Sequence, residues 1–257
     1  MNSSTNSSVE HWIFPAWRMP RVACGTTTRI GGVSETPWSS FNTALHAGDD
    51  PAHVMRNREL LKRHIGAESL QFLDQVHGVD VVRVGRNTTS RVPTADAMWT
   101  DEAGIALIIQ TADCLPVMFA SRDDSVVGAA HAGWRGVACN VVQALLKSLP
   151  VAPRELSVWM GPAITGRNYE VGDDVREAMN LVVPNSVLDT ACAPSAIPGK
   201  WWLDLVPIVT WQLESEGVDS NAITASGLCT FGEPERFYSY RREGRTGRLA
   251  SFILLNT

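Results

Sequence analysis

The chain has 257 residues, of which 44% are hydrophobic and 19% charged, with a formal net charge of −5. This length supports one sizeable core or two small domains, and the negative balance excludes a global field for nucleic acid. No apolar run approaches the roughly 20 residues that span a bilayer, so no membrane partner is expected.

From the N-terminus, "MNSSTNSSVEHW" has neither the basic n-region nor the apolar h-region of a secretory signal, and residues 1–12 read as a disordered tail. "PAHVMRNRELLKRHI" at 51–65 has helical periodicity and follows "GDD", whose acids suit a helix N-terminus. Apolar and β-branched runs predict strands at 79–84, 105–110, 115–120, 126–130, 156–160, 222–226 and 249–255. Further helices are expected at 137–149, 173–183 and 203–217, the last with Pro207 in its first turn, where proline is tolerated. Residues 193–202, "APSAIPGKWW", read as a loop within one domain. "LPVMFASRDDSVVGAA" reads as an antiparallel hairpin, and no strict βαβ rhythm runs through the chain. The expected architecture is therefore α+β, a single three-layer α/β/α domain with a mixed β-sheet over residues 1–257. Cys24, Cys114, Cys139, Cys192 and Cys229 form no C-x-x-C pair, which argues for reduced thiols and a cytoplasmic protein.

Three residues stand out chemically, each at the end of an apolar run beside a glycine or a polar break. His131 lies in "VVGAAHAGWRG", Cys114 in "TADCLPV" and His77 in "QVHGVDV". His131 follows Cys114 by 17 residues, about one hairpin, so adjacent strands would carry the two to neighbouring places. Two imidazoles and one thiolate suit Zn²⁺ with a fourth position open, the pattern of a catalytic site. Strand-end histidines and a buried free thiol are equally ordinary in packed turns and cores, and the spacing alone leaves both readings open.

The ordered set "TTTRIGGVSETPWSSFN", "GDDPAHVMRNRELL", "QVHGVDV", "TADCLPV", "AAHAGWRG", "GPAITGRNYEVG" and "YSYRREGRTGR" resembles the YfiH family. That family is also called the laccase-domain or polyphenol oxidase family and is described as purine nucleoside phosphorylases. The resemblance covers about residues 20–255. It implies a zinc site on His77, Cys114 and His131, a three-layer mixed α/β fold and cytosolic phosphorolysis of adenosine, inosine, guanosine and methylthioadenosine. It further implies accessory adenosine deamination. Family members often carry a cysteine in the "GPAI" segment, where this chain reads "TGRN" at 165–168, so a thiol there has no role in this chain.

Phosphorolysis joins phosphate to C1′ of a nucleoside and expels the purine, so the expected partners are a nucleoside and inorganic phosphate. Arginine's planar fork suits phosphate oxygens. Arg241, after the apolar run "RFYSY" read as a strand, is the first candidate, and Arg29 the second; Arg242, Arg245 and Arg248 lie in the same segment as Arg241. Asn42 is a candidate for the ribose hydroxyls, and Trp134 or Tyr240 for stacking on the base. No G-x-x-x-x-G-K-[ST] loop is present. Asp113 is the candidate acid/base for deamination, although strand alternation turns it away from Cys114. Copper is disfavoured as a cofactor, because six histidines cannot build the trinuclear oxygen-reducing centre of a multicopper oxidase. Two rivals remain: a hydrolase acting on a cell-wall precursor, either through zinc or with Cys114 as nucleophile and His131 as base, and a pure binding protein. The sequence does not set an oligomeric state.

Overall fold

The computed structural model describes residues 11–88 and 92–256. In chain order come β1 (Val22–Thr26), α1 (Pro51–Ile65), β2 (Ser69–Gln71), β3 (Val81–Arg83), β4 (Ala97–Thr100), β5 (Ile105–Thr111), β6 (Leu115–Ser121) and β7 (Val127–Ala132). They are followed by α2 (Trp134–Ala138), α3 (Val141–Ser148), β8 (Leu156–Met160), β9 (Glu170–Gly172), α4 (Asp173–Asn180) and α5 (Asn185–Ala191). The C-terminal part holds β10 (Cys192–Pro194), β11 (Lys200–Leu203), α6 (Leu205–Ser215), β12 (Ile223–Ala225), α7 (Tyr240–Glu243) and β13 (Leu249–Leu255).

The class is α+β, with strands inside and helices outside. The expected central sheet is in fact two sheets packed face to face. One has the order β12-β8-β6-β7-β4-β3 and the other β1-β13-β5-β2, each mixing parallel and antiparallel pairs. Met98, Met118 and Trp159 of the first sheet meet Leu107, Ile109 and Ile253 of the second. The outer face of the four-stranded sheet, including Ile108 and Phe252, packs with Phe41 and with Leu61 of α1. The outer face of the six-stranded sheet, with Val117 and Phe119, packs on Leu145 of α3 and Ile208 of α6. Strands covered on both faces read as unbroken apolar runs, which is why their sequence carries no alternation from which to count sheets. Each fully buried side chain of this size contributes about 1.5–3 kcal/mol relative to exposure.

Helix α1 has the expected bounds for local reasons. The Asp50 side chain accepts from the Ala52 N–H, Pro51 opens the first turn, and Gly66 ends it at φ 69°, where a side chain would be strained. The helix expected at 137–149 is instead two, because Asn140 takes φ 66° between α2 and α3. Residues 193–202 are not a loop: the ends pair as an antiparallel β10–β11 hairpin. "RFYSY" is not a strand; Ser239 accepts from the Arg242 N–H and caps α7. Of the expected tail, residues 1–10 lie outside the described residues, whereas Trp12 is buried at 5% exposure against Phe41 and Phe252. All five cysteines are free thiols. Among the described residues no helix is long and apolar enough to cross a membrane.

Candidate metal centre and its cavity

The β6–β7 hairpin pairs Leu115 with Ala132 and Pro116 with His131, which sets Cys114 diagonally beside His131 at the strand ends. On the other side of β7, Ala97 of β4 pairs with Ala130, and the His131 N–H donates to the Asp96 carbonyl at 2.7 Å. The chain before β3 then brings in His77. One ligand atom from each of His77, Cys114 and His131 lies within 4.8 Å of the others. The two imidazoles meet edge to face at 4.8 Å between centroids.

Asp96 organises this cluster. Its fully buried carboxylate accepts three successive backbone N–H groups, those of Val76 at 3.1 Å, His77 at 3.0 Å and Gly78 at 2.7 Å. Such a nest cradles an anion and here pins the turn in which His77 adopts φ 61°. The same carboxylate takes the His131 Nδ1–H at 2.8 Å, which leaves Nε2 as that ring's ligand atom. Burial on its own would raise the Asp96 pKa, but His131 and the backbone donors hold it below the ordinary carboxylate range. Burial likewise opposes the Cys114 thiolate; the adjacent His131 and His77 outweigh it and bring the thiol down to about 6. His131 rises to about 9 against its own burial, because Cys114 and Asp96 favour its charged form. Each member of the pair thus favours the charged form of the other.

The donor set fits a soft-to-borderline ion. A tetrahedral zinc with Zn–N of about 2.0–2.1 Å and Zn–S of about 2.3 Å separates N from S by roughly 3.5 Å. The Cys114 Sγ and His77 Nε2 are 3.8 Å apart, within a few tenths of that spacing. Gly133 completes the fit: a Cβ there would stand 2.7 Å from His77 Cδ2 and 3.2 Å from Cys114 Sγ.

The cluster opens into a cavity of about 550 Å³, also lined by His46, Asp74, Gln75, Gln110, Thr111, Tyr240 and Arg248. Of the expected substrate residues, neither Arg241 nor Arg29 nor Asn42 lines this cavity. Arg241 donates to the Glu170 carbonyl at 2.8 Å and lies over Tyr169. Arg29 is spent on the carbonyls of Ser39 and Pro234 and on Glu243 at 2.8 Å. Asn42 is buried and joins Ala44, Asp49 and the Arg248 N–H, a structural staple with no face left for a ribose. Asp113 lies between β5 and β6 at φ 110°, where strand alternation does not apply, and it accepts the Thr230 hydroxyl and the Arg241 N–H, both at 2.7 Å. Tyr240, 60% exposed, is on the cavity wall, whereas Trp134, the first residue of α2, packs against the core. Sequence reasoning passed over Asp96 and His46. An acid one residue before an apolar run was the available sign of the first; "ALHAGDD" carries none for the second.

A mixed fold of two packed sheets and a small third one, with Cys114 and His131 at the ends of central strands and His77 in the turn before β3, defines an α+β protein with a candidate metal centre. Residues 23–256 match the family described as multi-copper polyphenol oxidoreductase laccase, and the chain belongs to that family, the YfiH family. A purine nucleoside phosphorylase of Pseudomonas aeruginosa is 45% identical over 245 residues, covering 95% of this chain and 98% of that protein. The purine nucleoside phosphorylase YfiH of Escherichia coli is 40% identical over 251 residues, 95% and 98% of the two chains. Among solved structures, a Neisseria meningitidis protein superposes with a TM-score of 0.90 at 38% identity, covering 96% of this chain and all of that one. YlmD from Geobacillus stearothermophilus gives 0.90 at 32% identity, with 98% of each chain covered.

Proposed function

We propose that this chain is a zinc-dependent purine nucleoside phosphorylase acting on adenosine, inosine, guanosine and methylthioadenosine. One observation carries the reading: the His77–Cys114–His131 cluster stands in the wall of a cavity that also holds Arg248, a guanidinium with no carboxylate partner among the described residues. A nucleoside-sized space with a cation for phosphate and an open metal shell is what phosphorolysis needs. The names of the Pseudomonas and Escherichia relatives support the same reaction. His77, Cys114 and His131 would hold the ion, which when bound supplies a Lewis acid for a substrate oxygen. Asp96 keeps His131 in the tautomer that presents Nε2, and Tyr240 offers an aromatic face to a base.

Copper oxidase chemistry finds no support beyond the family's description, since among the described residues only this one cluster of histidine, cysteine and acidic side chains has metal-holding geometry. Accessory deamination cannot draw on Asp113, whose oxygens are occupied, and would fall to Asp74 on the cavity wall. The rival cysteine hydrolase draws on the Cys114 thiol held near 6 beside His131. Hypoxanthine release from inosine, measured with and without inorganic phosphate on protein of known metal content, decides between them. Phosphate-dependent release with about one zinc per chain and an alkylation-resistant Cys114 is expected. Active, metal-free protein whose Cys114 alkylates rapidly would transfer the assignment to the hydrolase.

A further inference from the structure

We infer that His46, Arg248 and Thr111 form an oxyanion subsite in the wall of the metal-centre cavity, and that its occupancy is coupled to uptake of one proton by His46. The inference rests on the phosphorylase reading for the anion's identity as a substrate, but the subsite stands on its own geometry.

Three side chains of that cavity are unspent. Arg248 uses one terminal nitrogen on the carbonyls of Thr246 and Gly247, at 2.9 and 3.0 Å. Its other terminal nitrogen and Nε meet no partner among the described residues, and no carboxylate pairs with it. It lies loosely over Tyr240, 5.8 Å from the ring centroid. The Thr111 hydroxyl, at the end of β5, is buried without any hydrogen-bond partner, in a residue only 1% exposed. His46, in the short 3-10 turn Leu45–Ala47, makes no hydrogen bond through either ring nitrogen among the described residues. A half-buried guanidinium without a counter-ion, a buried orphan hydroxyl and a free imidazole together offer charge and donors to a tetrahedral oxyanion. An apolar ligand would leave all three unsatisfied.

The proton follows from the charges that face His46. Arg248 approaches from the start of β13 and Arg58 from α1, whereas Asp74 approaches from the loop after β2. Tyr240 of α7 shares the cavity wall. Arg58 donates to the Thr43 carbonyl and covers Phe72 with no carboxylate of its own, so the balance around His46 is positive. Although His46 is exposed as a residue, the partial burial of its ring and the two arginines hold the imidazole below its ordinary value. An anion seated on Arg248 cancels that field, and His46 then gains both a reason and a partner for a proton. The sign is fixed: anion affinity rises as pH falls, because the bound state holds one proton more.

Calorimetric titration with sulfate, which does not itself titrate in this range, tests the coupling when repeated in buffers of different ionisation enthalpy. Inorganic phosphate is the second probe. The metal-loaded wild type is expected to bind sulfate with net proton uptake and to bind it more tightly from about pH 8 to about pH 6. His46→Asn should abolish the uptake and flatten the pH dependence. Arg248→Ala should weaken sulfate and phosphate roughly ten- to hundredfold, and Arg248→Lys should recover part of that loss, which excludes misfolding as the cause. Phosphate-dependent purine release that both variants retain unchanged overturns the subsite and leaves the phosphorylase reading intact. Sulfate binding with His46-dependent proton uptake in a protein that releases no purine sustains the subsite and overturns the phosphorylase reading. A wild type that binds neither anion overturns the subsite outright.

Discussion

The ends of β4, β6 and β7 and the segment Tyr240–Arg248 are both rich in chemically capable side chains, yet they use them in opposite ways. At the strand ends, Asp96, Cys114 and His131 come to adjacent places because sheet register carries position from one strand to the next. In the second region, four arginines leave the chain in different directions. Arg242 donates to the carbonyls of Thr230, Phe231 and Phe237 and to Glu243. Arg241 goes to Glu170, Arg245 to Gly48, and only Arg248 reaches the cavity. A short ligand on a strand has its place set by the backbone; a long cation finds whichever carbonyl its stem can reach.

The comparison predicts where substitutions hurt function and where they hurt only the fold. His131→Ala should have the largest effect, lowering metal affinity by more than about hundredfold while far-UV circular dichroism stays unchanged, because the backbone ladders of β7 with β4 and β6 do not need the imidazole. Full metal content in that variant would remove His131 from the centre. Asp96→Asn should weaken metal binding by about ten- to hundredfold with every ligand still present, read by competition with a chromophoric chelator. An unchanged affinity would mean that the shell is oriented without the carboxylate.

Glu243 tests the other region. It accepts from Arg29, Arg242 and Thr246. Burial opposes its charge, but these donors hold its pKa below the ordinary carboxylate value. A folded pKa below the unfolded one stabilises the protein above the unfolded value, and that contribution is lost as pH falls through the folded value. Glu243→Gln should therefore cost about 1–3 kcal/mol at neutral pH and flatten the acid limb of denaturation, with metal content untouched. An acid limb of unchanged steepness would show that the arginines, not the carboxylate, anchor this segment. The smallest effect belongs to Arg241→Ala. It loses one carbonyl contact at an exposed side chain, about 1 kcal/mol or less, and the phosphate Michaelis constant should move by no more than about twofold. A tenfold rise would return the anion site to Arg241.

Legibility in the sequence follows the same division. The helix at 51–65 and the hairpin of β6 and β7 were readable because each is fixed by a short-range rule, a cap or a turn, whereas His77, Cys114 and His131 stood out at the ends of apolar runs and only the family resemblance joined them into one candidate centre. The pairing of two sheets was not, since Leu107, Ile108 and Ile109 are buried alike whichever face they take. Neither was the fate of Arg29, whose partners Pro234 and Glu243 lie more than 200 positions away. Asp96 escaped for the same reason: its partners sit on two separate segments, and nothing in "TADAMWT" names them.

The nest around Asp96 also bears on how the ion comes and goes. In small zinc modules the chain collapses onto its metal, so that removing the ion dissolves the structure. Here the turn carrying His77 is closed by three peptide hydrogens on a carboxylate outside the candidate ligand set, and His131 is oriented by that same group. The receptacle is therefore finished before it is filled. An ion held there would be open to withdrawal by a chelator, and to exchange for another of similar size and softness, without the chain losing its shape. Metal release and loss of the fold on heating are thereby expected as two separate events, each with its own midpoint and only the first reversed by adding metal back.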